Sequence, residues 1–298
     1  MKILIFGEHG QLASSLKKEL FEFNVVQVGS QQVSFLDFQS IRDCIRKHRP
    51  QIIINAAAYT AVDKAEIEHD IAKTINADAI KVIAEEARIV QSRVIHFSTD
   101  YVFDGCKIDP YTEEDQVKPI NYYGETKALG EKYLTDSGCD FFIFRISWVY
   151  SAVGSNFVKT IVRLLQEKEE LNIVNDQYGA PTYSDDIAQA IRLLLSDTFL
   201  LKKSGLYHMT PPGSTTWFDF AENIFSEISK YPQSFRIKTK KIYPISSKLY
   251  KTAALRPRNS ILNSDKCYRS LSIQLPRFQT SLPNVIHSLA NQKSVSIG

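Results

Sequence analysis

Long hydrophobic runs are missing from this 298-residue sequence. A helix that crosses a bilayer needs about 20 consecutive apolar residues, and no stretch approaches that, so no membrane partner is expected. The N-terminal MKILIFGEHG has one lysine and then a short apolar run, but that run is too short for a signal-peptide core and leads into glycines rather than a cleavage site. Cysteine is scarce. Cys44, Cys106, Cys139 and Cys267 are scattered, with no CxxC pair and no metal-ligand spacing, so no metal is expected. Unpaired thiols suit a reducing compartment, and a cytoplasmic location follows. A dominant charge is lacking too: 36 Lys plus Arg stand against 33 Asp plus Glu, a formal net charge of +3. That is too mild to imply nucleic acid, and no basic run carries interleaved aromatics. Lys238, Lys240 and Lys241 alternate with Ile237 and Ile242, which reads as one exposed strand face. Internal repeats and low-complexity segments are absent, and 292–298 reads as an unstructured tail.

What is present is a 44% hydrophobic chain able to bury a full core. Lys2–Phe6 is a short apolar run ending at Gly7, the pattern of a buried strand. Leu12, Leu16 and Leu20 share one face of a helix over 11–21. Val25, Val26 and Val28 suggest a second strand, Ile52–Ile54 a third, Val94–Phe97 a fourth and Phe141–Phe144 a fifth. Helical patterns fall between them at 39–48, 65–87 and 122–136. This alternation predicts an α/β fold with a doubly wound parallel sheet of the Rossmann kind. Past residue 150 the rhythm changes. Helices are expected at 157–170, 186–197 and 217–229, joined by segments rich in proline and serine. The expected division is a dinucleotide-binding unit over 1–150 and a smaller, less regular substrate lobe over 151–298, with an approximate boundary and some interleaving. The lobe should cover the carboxyl ends of the strands, where such sheets bind ligands.

Two motifs carry chemistry. Gly7-Glu8-His9-Gly10-Gln11-Leu12-Ala13 lies between the first strand and first helix. Gly7 can make the tight turn, and Gly10 lets a pyrophosphate approach the helix N-terminus. The acidic residue expected at the end of the second strand, which would grip a ribose 2′-hydroxyl, is missing from Asn24 to Ser34. Lys and Arg are missing there as well. The cofactor expected is therefore NADPH, with NADH possible. The second motif pairs Ser98-Thr99-Asp100-Tyr101, closing the fourth strand, with Tyr123-Gly124-Glu125-Thr126-Lys127. Lys127 stands one helical turn beyond Tyr123 on the same face, where an ammonium would lower the phenol's pKa. Tyr123 could then protonate a ketone oxygen, and Thr99 orient the same carbonyl. With 14 tyrosines a single such match is weak. Three signals in the right order are not.

Longer stretches narrow the reading. These are Asn55–Glu66 (NAAAYTAVDKAE), Ser98–Phe103 (STDYVF), Arg145–Tyr150 (RISWVY), Asn175–Thr182 (NDQYGAPT) and Arg256–Ser260 (RPRNS). With the two motifs, they resemble the dTDP-4-dehydrorhamnose reductase branch of the extended short-chain dehydrogenase/reductases over about residues 1–285. The resemblance implies a nucleotide-sugar 4-ketoreductase with Tyr123 as proton donor, Lys127 as its helper and Thr99 as orienting hydroxyl. It implies that Gly7, Gly10, Gln11, Leu12, Asp37, Phe38, Ala56, Ala57 and Ala58 line the cofactor, with Tyr123 and Lys127. Thr60, Val62, Asp100, Tyr101, Trp148, Arg256 and Asn259 would join Thr99 on the substrate. Asp37 could equally cap a helix, Trp148 could be core and Asn259 could close a loop.

Some members of that branch are Mg²⁺-bridged dimers that use an acid early in the first helix. Here Ser14 and Ser15 occupy that region, with no acid before Glu19. A monomer or weak homodimer without metal is expected. A 4,6-dehydratase would need Glu after the Thr-Asp pair, where Tyr101 stands. An epimerase or a related 4-ketoreductase remains a rival. A non-catalytic NADP-binding regulatory subunit is disfavoured by intact Thr99, Tyr123 and Lys127.

Overall fold

The computed structural model describes residues 1–295. Five apolar segments form strands: β1 (Lys2–Phe6), β2 (Asn24–Val28), β3 (Ile52–Asn55), β4 (Arg93–Thr99) and β5 (Phe141–Ile146). They pair in parallel, and β6 (Gly205–His208) adds to β5, giving the order β6-β5-β4-β3-β1-β2. Ile3, Ile5, Ile52 and Ile54 point to one face and Leu4 and Ile53 to the other, all 3% exposed or less. Each such side chain removed from water contributes about 1.5–3 kcal/mol.

Helices cover both faces, as a doubly wound sheet requires. α1 (Gln11–Glu19) buries Leu12 and Leu16 on one face. α2 (Phe38–His48) and α3 (Ala79–Val90) cover the other. The helix expected over 65–87 is not one rod. His69–Lys73 leads into a π-turn at Thr74–Asp78 and only then into α3. Within the turn, Asn76 donates from Nδ2 to the Tyr59 carbonyl and the Thr126 hydroxyl, and its Oδ1 accepts the Tyr59 N–H. The extra residue is thus used to tie the loop after β3 to α4 (Tyr122–Thr135).

Two segments past residue 150 pack with the first layer. α5 (Ser184–Ser196) lies against α1 and shares its core through Ile187, Ile191 and Leu194, and β6 completes the sheet. Residue 150 therefore divides the sequence but not the packing. The remaining lobe has its own core. Helices Phe157–Glu167, Trp217–Ile228 and Phe278–Val295 close over a parallel pair, Glu170–Val174 with Lys241–Ile245. The helix expected over 157–170 stops at Glu167, and Glu170 already begins a strand. Of the tail expected over 292–298, residues up to Val295 continue the last helix and the rest lie outside the described residues. No helix among the described residues is long and apolar enough to cross a membrane.

Candidate active site

A cavity of about 650 Å³ opens at the carboxyl ends of β1, β3, β4 and β5. Gly7 makes the first turn at φ 112°, and its N–H donates to the Val28 carbonyl at 2.9 Å. A Cβ there would be strained by that φ and would stand 3.1 Å from the Ala56 carbonyl carbon, so glycine is required. Gln27 clamps the turn, donating to the carbonyls of Gly7 (2.9 Å) and Ala13 (3.1 Å). Gly10 is the N-cap of α1. It has no side chain to cap the helix, no acid follows in the first turn, and the space beyond its Cα is open. Uncapped N–H groups facing an open cavity suit a pyrophosphate. Gly10, Gln11, Leu12, Ala56, Ala57 and Ala58 all line this wall.

Two residues expected on the adenosine side also serve the fold. Asp37 caps α2, its carboxylate accepting the N–H groups of Gln39 and Ser40. Phe38 packs on the core between α2, α3 and the sheet. Neither lines the cavity. Conversely, the acid-free segment 24–34 is not free of acid in space. The Glu8 carboxylate reaches over Gly29 at the end of β2, filling the place a Cβ would take.

At the reacting end, α4 starts at Asn121, whose Oδ1 accepts the Gly124 N–H at 2.8 Å while its Nδ2 holds the Leu255 carbonyl. Gly124 packs so close to the Tyr101 carbonyl that no side chain would fit. Tyr123, Lys127 and Glu131 follow at intervals of one turn and form one stripe, with Lys127 and Glu131 buried and Tyr123 half-buried. Lys127 Nζ donates to the Phe97 carbonyl at 2.7 Å and lies 3.3 Å from His96 Nε2. Burial pushes Lys127 down to about 8, with Glu131 opposing. Tyr123 is pushed up by burial and further by the Asp100 charge, with a hydrogen bond from Thr99 opposing. The expected electrostatic lowering of Tyr123 by Lys127 is therefore not what this arrangement has. The amine is held by a β4 carbonyl, and Thr99 is the phenol's polar partner.

His96 was missed from sequence. Its ring is fully buried and held neutral by burial and the neighbouring Lys127. The Ala57 N–H donates to Asn55 Oδ1 at 3.1 Å, which orients Asn55 Nδ2 toward His96 Nδ1, also at 3.1 Å. A polar residue within the apolar run Val94–Phe97 was the available signal.

On the third wall, Thr60, Val62, Thr99, Asp100 and Trp148 face the same cavity. Trp148 has φ 45°, rare for a bulky side chain. Its indole stacks on Trp217 with centroids 3.4 Å apart and planes 5° from parallel, and it covers Gly179 so closely that a Cβ would collide with the ring. Trp217 is a second missed residue, and it also walls an adjoining cavity of about 390 Å³. Tyr101 and Arg256 line that second cavity. Arg256 forms a two-pronged pair with Asp63, both contacts at 2.6 Å, and hydrogen-bonds Tyr101. Arg256 holds the Asp63 carboxyl down at about 2. Asn259 lines neither cavity. Its amide donates to the carbonyls of Lys107, Ile108 and Asp109, so it closes a loop.

A glycine-turn parallel sheet with Tyr123, Lys127 and Thr99 at one cavity defines an NAD(P)-dependent oxidoreductase of the short-chain dehydrogenase/reductase class. The family model for the RmlD substrate binding domain matches residues 1–291. The dTDP-4-dehydrorhamnose reductase of Escherichia coli (strain K12) is 40% identical, over 97% of this chain and 98% of that protein. The crystal structure of the Bacillus anthracis dTDP-4-dehydrorhamnose reductase in complex with NADP superposes with a TM-score of 0.88 at 34% identity, covering 96% of this chain and 99% of that one. The chain belongs to the dTDP-4-dehydrorhamnose reductase family. A UDP-glucose 4-epimerase from Thermus thermophilus, complexed with NAD, reaches a TM-score of 0.80 at 15% identity, covering 97% and 99% of the two chains, and shares the fold alone.

Proposed function

We propose that this protein reduces the 4-keto group of dTDP-4-dehydro-L-rhamnose to give dTDP-L-rhamnose, using NADPH and, alternatively, NADH. The reaction would supply activated deoxysugar for a cell-surface polysaccharide such as O-antigen. The observation that carries the reading is the convergence on one cavity of the uncapped α1 N-terminus, the Tyr123–Thr99 pair and Trp148. The reduced nicotinamide, when bound, supplies the hydride. Gly10, Gln11 and Leu12 would hold the pyrophosphate through backbone N–H groups, and Ala56–Ala58 would leave room beside it. Tyr123 would give its phenolic proton to the ketone oxygen, and Thr99 would hold that oxygen in line. Trp148 and Trp217 offer flat apolar faces to the sugar, while Arg256 and Tyr101 would serve the diphosphate or base. Product NMR after incubation with dTDP-4-dehydro-L-rhamnose and NADPH tests the reading. The 4-epimer of rhamnose, or an oxidised starting sugar left unchanged, would overturn it.

A cytoplasmic location and a monomer or weak homodimer belong to the same proposal. Ser15 donates to Asp185, which also pairs with Lys18 at 3.3 Å, so a lysine ammonium stands beside the carboxylate of that region.

Cofactor choice turns on Glu8. A carboxylate over the end of β2 stands where the acid that binds a 2′-hydroxyl is ordinarily found, and it would repel a 2′-phosphate. Glu8→Gln should tighten NADPH relative to NADH by roughly fivefold, the ~1 kcal/mol of two like charges about 4 Å apart in water. Quenching of protein fluorescence on titration with each dinucleotide reads both Kd values. An unchanged ratio would mean that Glu8 does not face the ribose.

A further inference from the structure

A chain of hydrogen bonds runs beneath the cavity from the end of β3 to Lys127, through the buried side chains of Asn55 and His96. Its direction is fixed at the first link. The Ala57 N–H donates to Asn55 Oδ1 at 3.1 Å, so the end of that amide that meets His96 Nδ1, also at 3.1 Å, is Nδ2. An amide nitrogen only donates, and a neutral imidazole has one donor nitrogen and one acceptor. His96 Nδ1 therefore accepts, and the ring proton lies on Nε2. A second ring proton is excluded, because Nδ1 faces a donor and because burial and the Lys127 charge hold the imidazole pKa far down. The protonated Nε2 stands 3.3 Å from Lys127 Nζ, which itself donates to the Phe97 carbonyl at 2.7 Å.

An ammonium has three donors and no acceptor, whereas a neutral amine keeps a lone pair. Only the neutral amine accepts the His96 Nε2–H while donating to Phe97; a charged Lys127 would set two donors against each other where burial makes an unmade bond costly. The other titratable groups around it do not supply that acceptor. Glu131, on the same helix, raises the Lys127 pKa, but its carboxylate oxygens receive Arg145. Tyr123, one turn earlier, is held neutral by burial, and Asp100 at the end of β4 acts on Tyr123. Burial brings Lys127 down to about 8, and the facing Nε2–H acts in the same direction. We infer that His96 is a positioning residue for Lys127: its Nε2–H holds the amine against β4 and favours the neutral form while the cavity is empty, so that the dinucleotide takes up a proton as it binds. That proton comes from water and ends on Lys127 Nζ. Lys127 lines the cavity, where the negative charge and ribose oxygens of a dinucleotide would favour the ammonium over the amine. The inference rests on the nicotinamide cofactor of the reading above and not on the sugar. A histidine kept only to fill space leaves the directed amide of Asn55 unexplained.

A ligand that raises the pKa of a group binds best to its protonated form, so affinity is full below the free-protein pKa and falls as pH rises through it. The Kd for NADPH should therefore climb above pH of about 8, by up to about tenfold per pH unit, until the bound form also loses its proton. Calorimetric titration with NADPH at a pH of about 9, in two buffers of different ionisation heat, should show close to one proton taken up. Asn55→Asp offers an oxygen to both neighbours and reverses the chain: Nδ1 becomes the donor and Nε2 accepts from the ammonium. Proton uptake should then fall toward zero. His96→Phe, which removes the Nε2–H and adds no charge, should reduce the uptake as well. Long-range nitrogen–proton NMR of the wild type without cofactor reads the tautomer directly, with the proton expected on Nε2 of His96. A proton on Nδ1, NADPH binding without proton uptake, or an Asn55→Asp protein with the wild-type uptake overturns the inference. A protein that binds neither NADPH nor NADH refutes the cofactor reading instead, and the tautomer of the free protein then upholds or overturns the chain from Asn55 to Lys127. If neither variant folds, the tautomer and the buffer dependence of the wild type decide the matter.

Discussion

Tyr123→Phe should lower kcat by about 10²–10⁴-fold, the range of a general acid lost from a positioned site, while the Kd for NADPH stays close to wild type. The argument begins with charge. Hydride addition makes a ketone oxygen anionic, and the barrier falls only if a proton source stands there as that charge develops. The Tyr123 phenol stands on the cavity wall and is held in its neutral, proton-bearing form by burial. Phenylalanine keeps the ring and its edge-on contact with Tyr101, whose centroid lies 6.0 Å away at 81°. Only the proton and one hydrogen bond to Thr99 are lost. Lys127→Met should harm both rate and cofactor binding, because it removes an amine anchored at the Phe97 carbonyl beside the cavity. Thr99→Val should cost less than Tyr123→Phe, since the primary donor remains. Stopped-flow turnover with deuterated cofactor, beside fluorescence titration of NADPH, separates the two effects. A Tyr123→Phe enzyme with near wild-type kcat, in an assay limited by chemistry, would remove Tyr123 from the mechanism.

Reading the sequence reached the sheet and the shared helix face of Tyr123 and Lys127 because both are written in local spacing. Lys2–Phe6 and Ile52–Ile54 are apolar runs that can only be buried strands, and Tyr123 with Lys127 is a one-turn interval on a helix. What escaped depends on where distant segments meet. Gly205–His208 is four residues long and gains its identity as β6 only by pairing with β5. The helix 184–196 looks like any amphipathic helix, and nothing local says that it packs on α1 rather than in the second lobe. Glu8 lies outside the segment in which a ribose-binding acid is sought, yet the turn at Gly7 swings it over Gly29. Trp217 reads as an apolar residue at a helix start until it is found flat against Trp148. Asp37 and Asn259 both fit the resemblance, and both also meet backbone groups close by, Asp37 in a cap and Asn259 in a loop. Helical spacing fixes the face on which Lys127 lies, and not the β4 carbonyl opposite that its amine meets.

Removing Glu131 alone should destabilise the protein by about 3–5 kcal/mol, the usual effect of leaving a buried charge without its partner. Glu131 lies two turns beyond Tyr123, and its carboxylate receives Arg145 of β5 through two contacts, Nε to Oε1 at 2.9 Å and Nη2 to Oε2 at 2.6 Å. Both side chains are at most 6% exposed. The guanidinium also stands over the Phe103 ring, 5.0 Å from its centroid, and 3.3 Å from His208 Nε2. His208 is kept neutral, down at about 3, by burial and by the Arg145 charge. Its Nδ1 faces the Tyr111 carbonyl at 3.1 Å and so carries the ring proton, which leaves Nε2 to accept from Arg145. Arg145 is therefore satisfied on every side, and Glu131→Leu would leave it buried, charged and short of two hydrogen bonds. The double variant Glu131→Leu, Arg145→Met should recover most of the loss, since well-packed apolar replacements of buried pairs are often neutral. Denaturant midpoints at constant m-value measure both changes. Activity of the double variant then isolates a separate effect. The Glu131 charge is what holds the Lys127 pKa up against burial, so without it Lys127 should lose its proton at a lower pH and NADPH binding should weaken at a correspondingly lower pH. A double variant as unstable as Glu131→Leu would show that α4 is held to the sheet by packing around Glu131 rather than by the pair. A stable double variant with the wild-type pH dependence of NADPH binding would show that Lys127 does not feel Glu131 four residues along the same helix.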